Sequence, residues 1–360
     1  MWPDRRLLDA LGIEVPIVQA PMAGANGSAL AAAVSAAGAL GSLPCAMLDA
    51  EKIRAEIGVI RQRTRAPLNV NFFCHTPPKP DPEAARAWKD RLRPYYAELG
   101  LDPEAEAPAV SRAPFDETTC RVVEELRPEI VSFHYGLPEA PLLARVKAAG
   151  CKVLSSATTV AEAEWLEARG CDAIIAQGYE AGGHRGIFLD DDVFAQAGTM
   201  ALVPQVVDAV DVPVIAAGGI ADGRGIAAAF ALGASGVQIG TAYLFTPESL
   251  VSDLHRAALK GARDDGTALT NIFSGRPARG ILNRVMREVG PLTDAAPAFP
   301  TAGGALAPLK AAAEAKGSGD FTPLWSGQSA RLGREMSASD LTRVLSEEAG
   351  AHFERMSKPI

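Results

Sequence analysis

A histidine, His184, lies within a glycine-rich segment of the sequence, QGYEAGGHRG at residues 177–186. A neutral imidazole near pH 7 can take a proton from a carbon acid, and a protonated imidazole can stabilise an anionic substrate. For any lone histidine the alternative is a structural role, with the ring hydrogen-bonded inside its loop. Because glycines flank His184 and an apolar run precedes the segment, we predict that this histidine is catalytic.

Polar side chains also follow other short apolar runs of the sequence. They occur in QAPMAG at residues 19–24, NVNFFCH at 69–75 and SFHYG at 132–136. Such side chains are costly in a core, so their position at the ends of apolar runs indicates a shared pocket. We expect His75 and His134 to orient this pocket and His134 to contact the substrate. His255 and His352 fall in predicted surface helices and are given no role.

Three charged residues have two interpretations each. Arg276 and Arg279, in SGRPARG at residues 274–280, can bind a carboxylate or a phosphate if both guanidinium groups face the pocket. A solvated or ion-paired couple is equally compatible with the sequence. Glu180 is either a partner of His184 or Arg185, or a simple surface carboxylate.

Glycines follow the last two apolar runs of this part of the chain, in AGGI at residues 217–220 and QIGT at 238–241. Glycines there let backbone N–H groups approach a phosphate at the start of a helix, although tight turns alone would also require glycine. Asp222 is placed to cap the next helix, and Thr241 offers a hydroxyl. We therefore predict a phosphate site. The segment GRGIAA at 223–228 matches a dinucleotide fingerprint but begins inside a helix, so we discount it.

The elements that position these residues are alternating strands and helices. Eight short apolar runs are predicted strands, at residues 17–19, 40–43, 68–73, 130–134, 152–155, 173–177, 212–216 and 236–240. The helices between them include residues 28–37, 50–63, 140–149, 160–168 and 223–232. Eight such units favour an α/β fold with a closed (β/α)₈ TIM barrel over an open doubly wound sheet.

Two stretches fall outside these units. We expect a barrel over residues 1–265 with an insertion around 75–115, followed by a mainly helical region, residues 266–360, that covers the active site. The structure of residues 301–316 is left undecided. Function in such barrels collects at the carboxyl ends of the strands, where the polar residues above occur.

Composition limits the kinds of partner. Hydrophobic residues make up 48% and charged residues 22%, which is typical of a globular protein, and the net charge of -8 argues against nucleic acid and anionic membranes. The five cysteines form no CxxC pair, and no His, Cys and carboxylate residues have metal-ligand spacing. With no signal sequence at the N-terminus, we expect a cytoplasmic protein without a metal.

The motifs together resemble a known family. They are QAPM at 19–22, NVNFFCH at 69–75, AQGYEAGGHRG at 176–186, AAGGIADGRG at 216–225, VQIGT at 237–241 and SGRPARG at 274–280. In this order they resemble the class I nitronate monooxygenases, formerly called 2-nitropropane dioxygenases, which are FMN-dependent barrels. The resemblance extends from residue 16 to residue 280.

The resemblance implies a set of site residues. His184 matches the family's catalytic histidine. The residues implied to contact FMN are Ala20, Pro21, Met22, Asn71, Gln177, Gly182, Gly183, Gly218, Gly219, Gln238, Ile239, Gly240 and Thr241. The resemblance implies that Met22 and its neighbours line the isoalloxazine ring.

The implied reaction is oxidation of an alkyl nitronate or propionate 3-nitronate by O₂ to a carbonyl compound and nitrite, by a monomer or homodimer. The closest alternative is an FMN-dependent NAD(P)H:quinone or enoyl-thioester reductase of the same fold. A non-redox isomerase or aldolase and a flavin-binding sensor are further alternatives. One departure concerns the substrate: members of the family often carry tyrosines after the SGRxARG motif, whereas this chain has Phe299 in that segment.

Overall fold

Strands and helices alternate along most of the chain. The structure, a computed structural model, describes residues 2–105 and 112–357. Its elements are α1 (Arg6–Leu11), β1 (Ile17–Gln19), α2 (Ser28–Ala36), β2 (Gly41–Pro44), α3 (Ala50–Arg63), β3 (Leu68–Phe73), α4 (Pro82–Leu99), α5 (Glu117–Leu126), β4 (Ile130–His134), α6 (Ala140–Ala148), β5 (Lys152–Ala157), α7 (Val160–Glu167), β6 (Ala173–Gln177), β7 (Gly183–His184), α8 (Thr199–Ala209), β8 (Val214–Ala217), α9 (Gly223–Ala231), β9 (Gly236–Ile239), α10 (Asp253–Lys260), β10 (Thr267–Thr270), β11 (Ala278–Ile281), α11 (Arg284–Val289), α12 (Gly303–Glu314) and α13 (Ala338–Met356).

Eight parallel strands form the centre of the molecule, in the order β1-β9-β8-β6-β5-β4-β3-β2. A parallel bridge between Val18 and Leu40 joins β1 to the other edge, so the sheet closes on itself. Nearly all residues of these strands are buried, as expected for parallel strands covered on both faces. The predicted (β/α)₈ barrel is therefore confirmed, and each predicted strand is present.

The last helix differs from its predicted place. We expected residues 266–360 to cover the active site, but α13 packs against α9 and α2 on the outside of the barrel. Its buried residues Leu341, Leu345 and Ala349 belong to the main core. Because β9 is followed by only a short 3₁₀ turn, α13 takes the position between α9 and α2 that the barrel's eighth helix would fill. Sequence order could not indicate this return of the chain.

The insertion and part of the C-terminal region share a second hydrophobic core. Trp88 and Leu92 of α4 pack with Leu306 and Leu309 of α12 in this cluster. The Trp88 indole N–H also donates to the carbonyl of Ala302 at 3.0 Å. Residues 303–314, left undecided from the sequence, are thus helical because one face is buried against α4.

Gly41 offers a test of the barrel's packing. A Cβ at Gly41 would overlap the backbone carbonyl of Ala31, whereas a Cβ at Gly58 on α3 would meet no atom within 4 Å. We expect Gly41→Ala to lower the free energy of unfolding by at least about 2 kcal/mol, because backbone cannot yield as a side chain can. We expect Gly58→Ala to raise it by about 0.5–1 kcal/mol. Denaturant unfolding of both variants checks this, and equal stabilities would contradict it.

Among the described residues, no helix is both long and apolar enough to cross a membrane. The same residues contain no group of three His, Cys, Asp or Glu side chains that could hold a metal ion.

Candidate active site

His184 lies at the mouth of the barrel, on the short strand β7 that follows β6. β7 pairs antiparallel with β11, so that His184 is opposite Ala278 and Gly183 is opposite Arg279. β11 in turn pairs with β10. This small sheet attaches the loop of the predicted catalytic histidine to the C-terminal region. The sequence did not indicate it, because two residues are too few to carry a strand pattern.

The His184 side chain lies beside a hydroxyl and two aromatic rings. Its Nε2 atom is 2.8 Å from Ser274 Oγ, and its ring centroid is 5.6 Å from that of Phe299 and 5.4 Å from that of Trp325. Burial lowers the pKa of His184 well below its usual value, and the nearby charges of Arg112 and Arg276 lower it further. The imidazole is therefore neutral near pH 7, which is the state required of a base.

Two buried polar atoms near His184 have no hydrogen-bond partner among the residues that the structure describes. They are His75 Nδ1 and the Tyr135 hydroxyl. The Tyr135 ring centroid is 6.3 Å from that of His75 and 6.5 Å from that of His184. A buried polar group left unsatisfied costs about 1–3 kcal/mol, so such groups are rare. Their position beside His184 indicates that a bound molecule completes their hydrogen bonds.

The backbone at Tyr135 is unusual. Tyr135 follows β4 with a φ of 69°, in the left-handed region that non-glycine residues rarely adopt, and Gly136 follows with a φ of 86°. A conformation of this kind costs about 1–3 kcal/mol and is found most often at functional sites. Tyr135 was not among the predicted site residues, because no sequence pattern marks a strained turn.

Arg276 lies in the same cluster. Its guanidinium carbon is 4.5 Å from the centroid of the Tyr135 ring, and its Nη1 donates to the carbonyl of Ile187 at 3.0 Å. Arg112 lies 5.8 Å from the Phe299 ring centroid, and its Nε has no partner within the described chain. Neither arginine forms a salt bridge with a described carboxylate. Among the residues that the structure describes, the mouth therefore carries two positive charges with no carboxylate paired to them.

Arg279 is placed differently from its prediction. On β11 it is adjacent to Ala278, so its side chain points to the face of the small sheet opposite that of His184. Arg279 Nε donates to the Tyr179 carbonyl at 3.1 Å, and Nη1 donates to Thr267 at 3.2 Å. It is also 3% exposed, so it is not a solvated residue either. Of the predicted arginine pair, the structure brings only Arg276 to His184.

His134 is close to the cluster but already has a partner. Its Nδ1 is 2.6 Å from Ser156 Oγ, and its ring centroid is 4.5 Å from that of Tyr135. Burial lowers the pKa of His134 to about 4, and of His75 also to about 4, so both rings are neutral near pH 7.

Gln177 and Arg185 hold the His184 loop in place. Gln177 Nε2 donates to the His184 carbonyl at 2.9 Å, and its Oε1 accepts from the Gly186 N–H at 2.7 Å. The buried Arg185 donates to the Gln177 carbonyl at 2.7 Å and to Gln196 at 2.7 Å. Gln177 was predicted to contact a cofactor. In the structure both its Nε2 and its Oε1 atoms already form hydrogen bonds with the His184 loop.

A family model described as nitronate monooxygenase matches residues 4–348. The chain belongs to the nitronate monooxygenase family. A nitronate monooxygenase of Pseudomonas aeruginosa is 47% identical over 95% of this chain and 98% of its own length. The crystal structure of a nitroalkane oxidase from Streptomyces ansochromogenes is similar with a TM-score of 0.89 and 40% identity, covering 98% of this chain and 100% of that one. FabK from Thermotoga maritima has a TM-score of 0.72 and 28% identity, with 99% of each chain covered. The protein is thus an oxidoreductase, as predicted.

The residues predicted to hold a phosphate lie at the carboxyl ends of β8 and β9. The N–H groups of Gly219 and Thr241 donate to no backbone carbonyl in the described chain, and Gln238 Oε1 is buried without a partner. A Cβ at Gly219 would meet only the Glu180 side chain, at 3.6 Å, so space remains beside it. The two free N–H donors at the carboxyl ends of these strands fit a phosphate group, whereas Gln238 Oε1 is an acceptor.

At Gly218 the local structure requires glycine whether or not a phosphate is bound. A Cβ at Gly218 would lie 2.9 Å from Thr199 Oγ1, and its φ is 113°, so close packing and the turn already require glycine there. Glu180 accepts from the Thr199 N–H at 2.8 Å, and so caps α8. Glu180 is therefore not a partner of His184 or a free surface carboxylate, but its charge favours the charged form of Arg185, one of its two predicted partners.

The other predicted cofactor residues lie around the same mouth. Ala20, Pro21 and Met22 follow β1, and Gly240 follows β9, where its Cβ position is 3.7 Å from Met22 Sδ. Asn71 on β3 donates from Nδ2 to Ser132 Oγ at 2.9 Å. Ile239 is fully buried in the core, so its side chain is not available to a cofactor.

The segment of residues 325–328 was missed from the sequence. Its Gly327 N–H donates to Thr241 Oγ1 at 2.9 Å, and its Gln328 N–H donates to the Glu180 carbonyl at 3.0 Å. A Cβ at Gly182 would overlap the backbone of this segment, so Gly182 provides room for it. His255, predicted to be a surface residue, is buried and contacts the Trp325 carbonyl from Nε2 at 3.0 Å. The only feature of the sequence that could have marked this segment is its short polar, glycine-containing motif WSGQ.

Proposed function

We propose that this protein is an FMN-dependent nitronate monooxygenase that oxidises alkyl nitronates or propionate 3-nitronate with O₂ to a carbonyl compound and nitrite. The observation that carries the proposal is the cluster around His184, where, within residues 2–105 and 112–357, Arg276 has no carboxylate partner and His75 and Tyr135 keep unsatisfied polar atoms. A nitronate is an anion with two oxygen acceptors. A buried site with positive charge and the free hydroxyl donor of Tyr135 is suited to such a group.

The FMN phosphate would be held by the N–H groups of Gly219 and Thr241, while the Oε1 atom of Gln238, an acceptor, would meet a donor group of FMN and not its phosphate. Ala20, Pro21 and Met22 would lie along the flavin ring. FMN, when bound, supplies the redox chemistry of the reaction, which no amino-acid side chain supplies. The support for this cofactor is the match between these free donors and a phosphate, together with membership of the family.

The side chains have separate tasks in this proposal. Arg276 and Tyr135 attract and orient the anion, while Phe299 and Trp325 exclude water from the space beside His184. A preformed nitronate needs no base. A neutral nitroalkane must first lose a proton from carbon, and the neutral imidazole of His184 is the group that can accept it.

Two arginines at one mouth suit a substrate with two anionic groups. Arg276 lies on Tyr135, and Arg112 lies on Phe299, which is itself 5.5 Å from Tyr135 between ring centroids. One guanidinium can pair with the nitronate and the other with a carboxylate. Propionate 3-nitronate therefore fits this mouth better than a plain alkyl nitronate.

Oxygen uptake by the purified protein tests the proposal. Ethyl nitronate and propionate 3-nitronate are added preformed, and NADH and NADPH are supplied in separate reactions. We expect rapid uptake with a nitronate alone and nitrite as a product. No uptake with nitronates, together with steady NAD(P)H oxidation in the presence of a quinone or enoyl thioester, would move the protein to the reductase alternative.

A further inference from the structure

Ser274 contacts His184 and the backbone of Arg276 at once. Its Oγ is 2.8 Å from His184 Nε2, 3.3 Å from the Arg276 carbonyl oxygen and 3.4 Å from the Arg276 nitrogen. The residue is 2% exposed, so water does not compete for these contacts. Ser274 lies in the SGRPARG motif, where only the arginines were considered from the sequence.

A serine hydroxyl has one proton to donate and two lone pairs to accept with. The Arg276 N–H can only donate, so it uses one lone pair of Oγ. The proton then goes either to His184 Nε2 or to the Arg276 carbonyl. That carbonyl has no other donor among the residues that the structure describes. Donation to the carbonyl therefore satisfies both groups of Arg276, and the second lone pair is left to accept from the imidazole.

We propose that Ser274 is a positioning residue that holds His184 in the tautomer with the proton on Nε2, which leaves the Nδ1 lone pair free towards the substrate. His184 Nδ1 has no hydrogen-bond partner in the described chain, while the side chain is only partly buried. The inference rests on the proposed function and deepens it. It makes His184 a proton acceptor for neutral nitroalkanes rather than a donor to the nitro group.

The charges around His184 agree with this arrangement. The groups that act on the ring are Arg112, Arg276 and the neutral His134, and none of them is a carboxylate that would favour an imidazolium. With the imidazole neutral, only one ring nitrogen carries a proton, so the contact made by Nε2 determines the state of Nδ1.

The tautomer can be measured without turnover. The chain has five histidines, so labelling them with ¹⁵N and comparing the holoenzyme with His184→Gln assigns the His184 ring signals. We expect the shift pattern of an Nε2–H tautomer in the wild type, a changed pattern in Ser274→Ala, and the wild-type pattern in Ser274→Thr, which retains the hydroxyl. An Nδ1–H tautomer in the wild type, or an unchanged pattern in Ser274→Ala, would overturn the inference.

Kinetics give a second readout. We expect Ser274→Ala to lower kcat/KM for nitroethane about 10-fold or more, and that for preformed ethyl nitronate less than about 2-fold, because only the nitroalkane needs the base. Equal losses with both substrates at unchanged flavin content would count against a role through the base. Failure of the wild type to oxidise any nitronate would reject the proposed function, whereas the ring signals would still decide the tautomer.

Discussion

Replacing His184 with glutamine is expected to lower kcat/KM for nitroethane by about 10²–10⁴-fold, the usual contribution of a positioned general base. A glutamine amide can still donate to Ser274 Oγ, as the imidazole Nε2 does at 2.8 Å, but it has no basic nitrogen. The loop itself is held by the backbone pairing with Ala278 and by Gln177, so its structure does not depend on the ring. The rates are measured as oxygen uptake at saturating O₂.

The loss should be smaller, about 10-fold, with preformed ethyl nitronate, which needs no deprotonation. Flavin content, read from the visible spectrum, should be unchanged. His352→Gln is the matched control, because His352 lies on α13 away from the mouth and should retain full activity. If His184→Gln kept its rate with nitroethane, the catalytic assignment would be rejected.

Replacing Arg276 with glutamine is the second large change. We expect KM for propionate 3-nitronate to rise about 30-fold or more, since removing one partner of a buried charge pair costs about 2–5 kcal/mol. The effect on ethyl nitronate should be several-fold smaller, because it has no carboxylate to lose a contact. Arg276→Lys should restore only part of the loss, since an ammonium keeps the charge but not the planar pair of donors.

Arg224→Gln serves as the control for this change. Arg224 is paired with Asp222 at the start of α9 and is largely exposed, so its loss should leave both KM values unchanged. An equal rise of KM for the two nitronates in Arg276→Gln would show that Arg276 binds only the nitronate group. In that case the assignment of Arg276 to the carboxylate would be wrong, and Arg112 would be the guanidinium left to bind it.

Phe299 is also relevant to the choice of substrate. The departure noted in the sequence places a ring without a hydroxyl 5.6 Å from His184 and 4.8 Å from His75, between ring centroids. The hydroxyl nearby comes instead from Tyr135, on a different element of the chain. The Phe299 ring therefore offers the proposed substrate no hydrogen bond, whereas the Tyr135 hydroxyl can offer one.

The barrel could be predicted from the sequence because its strands are buried on both faces. The run Ala173–Gln177 is apolar up to its last residue and lies between Gly170 and Gly178, so local pattern and final structure agree. The cap of α9 by Asp222 was predicted for the same reason, since a capping side chain acts within its own turn.

Apart from Arg276, the candidate site was predicted only from residues at the ends of the barrel strands or in the loops directly after them. His184 and the glycines of β8 and β9 are of this kind. Ser274, Tyr135 and Trp325 reach the site through the pairing of β7 with β11 and through the packing of residues 325–328 on Gly182. These contacts join parts of the chain far apart in sequence, and no local period marks them.

The sequence by itself determined the alternation of strands and helices, the closed barrel, and the place of the proposed catalytic histidine in a glycine-rich loop, because each depends on residues near one another in the chain. Only the tertiary structure decided which of two adjacent arginines reaches that histidine. Arg276 and Arg279 are three residues apart, but β11 begins between them. The Arg279 side chain therefore lies on the face of the small sheet opposite that of His184. It also decided that Nε2 of His184 meets Ser274, since hydrogen bonds between distant segments depend on how the chain packs.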